Sequence, residues 1–210
     1  AAIPEVFITA WDALVVQGGL TNGRWALVHA AASGVGTAAI QICKAIGARV
    51  VATCSMNKVE ACRALGADVV VDYKNADFVD AVKTATNGRG VDAVLDVVGG
   101  DYLDRNVSCL ALKGHIVQVG VMAGGKIPFN LGALMGKRAK LSGTVLRARP
   151  LEEKIAISQR FALEILPLFE TGAIRPVIDR RYAFADIAQG HTHMESNANI
   201  GKIVIDVSAN

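Results

Sequence analysis

Val28–Ala48 reads VHAAASGVGTAAIQICKAIGA. An apolar β-branched approach runs into a small-residue turn, SGVG, and then into alanines and isoleucines at helical spacing, so the stretch predicts strand, tight turn and helix. A dinucleotide fingerprint, GxGxxG, occupies that kind of junction: its first glycine makes the turn, its second lets backbone approach a pyrophosphate, and its third lets helix pack on strand. Laid on this sequence, its six positions are Ala31, Ala32, Ser33, Gly34, Val35 and Gly36, and only Gly36 is a glycine in register. Two readings stand at this point, a pyrophosphate turn at a helix N-terminus or a buried, alanine-rich structural turn.

Working outward, the alternation continues. WALVHA (25–30), RVVATC (49–54), DVVVDY (68–73), VDAVLDVV (91–98), HIVQVGVM (115–122) and KLSGTVL (140–146) are candidate strands. Helical patterns separate them at Val35–Ile46, Lys58–Leu65, Asp77–Thr86, Tyr102–Ala111 and Leu131–Arg138. Six strands joined by five helical crossovers predict an α/β fold, a doubly wound parallel Rossmann sheet with helices on both faces. Ile3–Gly18 reads as a lead-in helix, so the dinucleotide-binding unit spans 1–148. Residues 149–210 hold a long helix, Glu152–Thr171, interrupted at Pro167, then IRPVIDRRYAF, a short helix in ADIAQGHTHMES, and a last strand, GKIVIDVS. Two strands and a small helix are too little for a self-sufficient domain and predict part of a second one.

Composition narrows the partners. With 210 residues, 52% of them hydrophobic, the chain can bury a large core. Lys plus Arg total 22 against 19 Asp plus Glu, a net charge of +3, which predicts no nucleic-acid partner. The cluster Lys137, Arg138, Lys140 has no interleaved aromatic residue and reads as a solvated helix end. Trp25–Cys43 carries no formal charge over 19 residues, near a bilayer-spanning length. The SGVG turn breaks it, and no basic-then-apolar leader opens the chain, so no membrane association is expected. Four scattered cysteines, Cys43, Cys54, Cys62 and Cys109, lack metal-ligand spacing and read as core residues in a reducing compartment, hence a cytoplasmic protein with no metal. His191 and His193 read as surface histidines.

The end of the second strand bears on cofactor choice. In NAD sites an Asp or Glu about 20 residues past the glycine turn holds the ribose hydroxyls and repels a 2′-phosphate. Here the stretch is Thr53-Cys54-Ser55-Met56-Asn57-Lys58, without a carboxylate. Ser55 can donate a hydrogen bond and Lys58 can set a cation beside a phosphate, which favours NADPH; Ser55 can equally cap the following helix. Tyr73 ends the third strand where an adenine would lie, or simply meets water there. Glycines at the strand ends DVVGG (96–100) and VGVMAGG (119–125) leave room for a flat cofactor against backbone. No GxSxG elbow and no YxxxK occur, and the acid-free loop also argues against a methyltransferase.

Together AASGVGTAAIQICKAIGARVVAT, CSMNK, VDYK, GVDAVLDVVGG, VGVMAGGK and NIGKIVI resemble, along essentially the whole chain, the zinc-independent quinone oxidoreductase branch of the medium-chain dehydrogenase/reductase superfamily, in particular the tumour-suppressor-inducible NADPH:quinone reductases. The resemblance implies that Ser33, Gly34 and Val35 face the pyrophosphate, Ser55 and Lys58 the 2′-phosphate, and Tyr73 the adenosine. It places Gly120, Val121 and Met122 along the nicotinamide half, with Leu146, Arg147 and Asn199 reaching the cofactor from later in the chain. It implies hydride transfer from NADPH to a quinone, with an enal or enone reductase or a non-catalytic NADPH-binding module as alternatives, and no assignable side-chain acid or base. It further implies a preceding catalytic domain of roughly a hundred residues, which residues 149–210 would complete, and a homodimer through the edge strand at Lys140–Leu146.

Overall fold

A computed structural model of the protein describes residues 1–208; the last two residues of the expected C-terminal segment, 209 and 210, lie outside the described residues. Pro4 opens α1 (Pro4–Trp11), which continues into a π-helical stretch at Asp12–Gln17. Then β1 (Trp25–Val28), α2 (Gly34–Ala45), β2 (Arg49–Cys54), α3 (Val59–Ala64), β3 (Val69–Asp72), α4 (Phe78–Ala85), β4 (Val91–Asp96), α5 (Tyr102–Cys109), β5 (Leu110–Gln118), α6 (Leu131–Lys137) and β6 (Lys140–Gly143) alternate without interruption. All six strands pair in parallel in the order β3-β2-β1-β4-β5-β6, the doubly wound order with its switch point between β1 and β4.

Strand alternation sorts the core into two layers. Ala26, Val28, Val50, Ala52, Ala93 and Leu95 face one cluster together with α1 and α2, while Leu27, Val51 and Val94 face the other with Phe78 and Val82 of α4 and Val107 of α5. Each of these is essentially shielded from water, and each large aliphatic among them contributes about 1.5–3 kcal/mol by its burial. The first layer also takes Ile157 and Phe161 from α7 (Leu151–Glu164), with Phe161 edge-on to Trp11 at 5.9 Å.

Five expected strands of the six-stranded sheet are longer than the observed ones at their carboxyl ends, β3 by only Tyr73. β1 stops at Val28 rather than Ala30, because Ala30 turns into the left-handed region with φ +47°. β4 stops at Asp96, where the carboxylate takes the next backbone N–H groups instead of the ladder doing so. Gly120 to Met122 lie beyond β5 and Thr144 to Leu146 beyond β6. β5 begins earlier than expected, at Leu110, so α5 ends at Cys109. The predicted helix 152–171 divides into α7 and α8 (Leu166–Glu170) at Ile165, the position two before Pro167, whose missing N–H breaks the helical ladder. The tail forms β7 (Ile178–Ala183), α9 (Ile187–Glu195) and β8 (Lys202–Asp206), with β7 and β8 paired in parallel.

Candidate dinucleotide site

The β1–α2 turn is held by Ser33, which occupies the N-cap in extended conformation and accepts from Gly36 N at 3.0 Å. Thr37 N is taken by Ser33 O, which leaves the N–H of Val35 at the helix end without an intrahelical partner. A Cβ on Gly36 would stand 2.5 Å from Ala30 O and Ala31 Cα, so the one fingerprint glycine in register serves helix-on-strand contact. Gly34 is needed for a different reason: a Cβ there would stand 2.6 Å from Lys202 Cδ and 3.1 Å from Val6 Cγ1. The Lys202 stem therefore lies across the first residue of α2, and its ammonium has no hydrogen-bond or ion-pair partner among the described residues.

Residues far apart in sequence meet on this edge. Gly201 N donates to Ala32 O at 2.8 Å and Gly201 bridges Ser33, while Lys58 Nζ donates to Asn199 O at 2.8 Å. Asn199 Nδ2 folds back onto Gly201 O. Ser55 stands at the N-cap of the short 3-10 turn Met56–Lys58, yet its hydroxyl donates to Asn57 Oδ1 at 2.7 Å and makes no cap bond. The capping alternative for Ser55 is thereby corrected: the side chain orders the loop sideways rather than closing the helix. Tyr73, 46% exposed, follows β3 with its N–H on Cys54 O at 3.2 Å, which sets it beside the Ser55 loop with its hydroxyl in no hydrogen bond among the described residues.

At the other end of the sheet edge, Asp96 O accepts from Val119 N at 2.7 Å and Gly120 N at 3.3 Å, and Met122 N reaches Val97 O. Gly99 and Gly100 turn with φ +67° and +57° against the Val121–Gly124 loop. Val121 with Gly99 and Gly100 lines a pocket of about 220 Å³, while Met122 projects outward. Leu146 and Arg147 line a second cleft, of about 230 Å³, with Glu5, Thr9 and Asp12 of the lead-in helix and Val119. The loop bearing them is anchored by Arg149, which pairs with the buried Asp12 and bonds Thr144 Oγ1 at 2.6 Å.

The candidate residues thus fall into three groups along one edge: Ser33, Gly34, Val35, Lys58 and Asn199 with Ser55 and Tyr73 adjacent, then Gly120 to Met122, then Leu146 and Arg147. The N-terminus of a twelve-residue helix and the cations Lys58 and Lys202 fit a polyanionic dinucleotide. Lys202 and the helix face Glu5, Thr9 and Asp12 escaped the sequence reading. The GK that follows Asn199 was the one available signal for the lysine; the α1 face carries no motif.

Among the described residues no group of three or more His, Cys, Asp or Glu is placed to hold a metal ion. All four cysteines are buried free thiols, with burial pushing those of Cys43 and Cys109 up to about 12. His193 is engaged by Asp179 at 2.8 Å rather than paired with His191. No helix of the described residues is long and apolar enough to cross a membrane.

The fold is that of the nicotinamide-dinucleotide-binding domain of the medium-chain dehydrogenase/reductase superfamily. The chain belongs to the zinc-binding dehydrogenase family, whose model matches residues 34–161. It is 30% identical to the human synaptic vesicle membrane protein VAT-1 homolog over 98% of this chain and 56% of that protein. It is 36% identical to the polyketide synthase GfsB of Streptomyces halstedii over 99% of this chain and 4% of that one. Among solved structures, an NAD-dependent alcohol dehydrogenase superposes with TM-score 0.82 at 33% identity, covering 99% of this chain and 58% of its own. The JamJ enoyl reductase superposes with TM-score 0.83 at 26% identity, covering 98% and 62%. The chain therefore spans little more than half of the VAT-1 homolog and of these solved chains, and the family's zinc-binding description attaches to no metal site among its described residues.

Proposed function

We propose that the protein binds NADPH along the carboxyl edge of the sheet and serves an NADPH:quinone oxidoreductase of the zinc-independent medium-chain type. The observation that carries this reading is the acid-free β2–α3 loop, in which Lys58 stands at the helix entrance, fixed by Asn199 O at 2.8 Å, with Ser55 beside it. Such a loop favours a 2′-phosphate over a bare ribose. Bound NADPH supplies the hydride. The chain's own part is placement: the α2 N-terminus with Lys202 for the pyrophosphate, Gly120 and the Gly99–Gly100 turn for the flat nicotinamide half, and Leu146–Arg147 closing the cleft against α1.

An enal or enone reductase on the same scaffold is the second reading, favoured by the likeness to polyketide synthases and to the JamJ and CurK enoyl reductases. A non-catalytic NADPH-binding module is the third. Residues 149–210 would complete a catalytic domain, the protein would work in the cytoplasm, and two copies would join at the β6 edge, where Leu141 is exposed and unpaired backbone invites a partner strand.

NADPH oxidation assayed with a panel of quinones and α,β-unsaturated carbonyls separates these readings. Turnover with quinones alone supports the first and turnover with enones alone the second. Binding without turnover leaves the module, and absence of NADPH binding removes all three.

A further inference from the structure

A chain of buried side-chain hydrogen bonds runs beneath the proposed cofactor edge and joins its separate loops. Asp96 Oδ1 accepts from Val98 N at 2.6 Å and Gly99 N at 3.0 Å, and Asp96 Oδ2 accepts from Asn106 Nδ2 at 2.9 Å. Asn106 Oδ1 lies 2.7 Å from His29 Nε2, and His29 Nδ1 lies 3.0 Å from Thr53 Oγ1. Chemistry fixes the direction of every bond but the one to Thr53. A carboxylate that already takes two backbone N–H groups is an acceptor, so the Asn106 amide must present its NH2 to Asp96 and its carbonyl to His29. His29 therefore carries a proton on Nε2, and in the neutral ring Nδ1 accepts from the Thr53 hydroxyl.

Every member is buried, and no buried side-chain N or O among the described residues lacks a partner. The His29 ring packs against Phe78 and Tyr102, both 4.8 Å away and edge-on. Its burial holds the imidazole below its ordinary range, which favours the neutral ring.

The placement of the chain is what gives it a role. His29 immediately precedes Ala30, the left-handed residue that bends β1 into the pyrophosphate turn. Asp96 holds the Gly99–Gly100 turn with its carboxylate and Val119 and Gly120 with its carbonyl. The Ser55–Lys58 loop is secured otherwise, by the β2 ladder and the Asn199 carbonyl.

We propose that His29 and Asn106 are positioning residues that lock the pyrophosphate turn in register with the Gly99–Gly100 turn, and so set affinity for the pyrophosphate and nicotinamide part of the cofactor without touching it. The inference rests on the NADPH reading of the site. Partly satisfied buried networks are costly and fully satisfied ones rigidify, so breaking the chain should misplace loops rather than only lower stability.

The test titrates the protein with NADPH and, separately, with adenosine 2′-monophosphate, which has no 5′-phosphate and so reaches only Ser55, Lys58 and Tyr73. His29→Leu and Asn106→Leu should each weaken NADPH by about tenfold, the effect of one lost buried hydrogen bond, and leave the monophosphate unchanged. His29→Gln should recover most of the NADPH affinity, because its amide N–H can meet Asn106 Oδ1 and its carbonyl can accept from Thr53. A parallel loss of both ligands, no loss of either, or a glutamine variant no better than leucine would overturn the positioning role. If the leucine variants do not fold, Thr53→Val, nearly isosteric, must still weaken NADPH selectively, and an unchanged affinity sinks the proposal. A wild-type protein that binds neither ligand overturns the site reading itself and the inference with it, a result distinct from wild-type binding with indifferent variants.

Discussion

Lys58 Nζ donates a 2.8 Å hydrogen bond to the backbone carbonyl of Asn199, across a sequence separation of 141 residues. The bond closes the loop preceding β8 over the β2–α3 loop and leaves two of the ammonium's three donors available. Lys58→Glu should therefore weaken NADPH more than about tenfold relative to NADH, the worth of one charge-assisted phosphate contact. Fluorescence titrations with both cofactors check this, and equal weakening would remove Lys58 from the 2′-phosphate.

Gly36 and Gly201 tolerate no side chain. A Cβ at Gly36 meets backbone at 2.5 Å, and at Gly201 it meets Val177 O at 2.4 Å on a backbone with φ +78°. Gly36→Ala should cost about 2 kcal/mol through overpacking, and Gly201→Ala a similar amount with added left-handed strain. Urea unfolding measures both; a Gly36→Ala midpoint equal to wild type would mean that α2 shifts freely on the sheet.

Asp12 and Arg149 form a buried pair, with side-chain exposures of 5% and 16%. Removing only the cation, in Arg149→Met, should destabilise by about 3–5 kcal/mol because the carboxylate stays buried without its charge partner. Asp12→Leu combined with Arg149→Met should recover much of that loss. Denaturant curves on the single and double variants decide it; additive losses would contradict the pairing argument.

Stability should fall as the pH drops below about 6.5, the ordinary histidine value. The sign follows from proton uptake. His29 is held below that value by burial, with Arg105 pushing the same way and Asp96 and the Asn106 bond opposing, so between the folded and unfolded values the unfolded chain binds a proton that the folded chain refuses. His115 is shifted in the same direction, which makes the difference between wild type and His29→Gln the informative quantity. The glutamine variant should lose less stability between pH 7 and pH 5, followed by urea midpoints; identical slopes would place the titration elsewhere.

The strand-helix alternation was legible because parallel strands covered on both faces must be nearly continuous apolar runs, as RVVATC and VDAVLDVV are. Strand ends were less legible. VGVM and TVL satisfy the same apolar pattern as the strands before them, and nothing local announces that Asp96 O captures Val119 N and Gly120 N. Ser55 has the chemistry of a helix cap, and its hydroxyl goes instead to Asn57, a competition between two short-range partners that residue type does not resolve.

By itself, then, the sequence determined the doubly wound sheet, the turn at Ser33–Gly36 and the acid-free loop at Ser55–Lys58, because periodicity, small residues and missing carboxylates are local properties. Only the tertiary structure decided that Lys58 meets Asn199, that Lys202 lies across Gly34, and that Thr53, His29, Asn106 and Asp96 form one chain. Those partners stand up to 168 residues apart, the separation of Lys202 from Gly34, and what unites them is the convergence of parallel strand ends on one edge, a consequence of packing rather than of spacing along the chain.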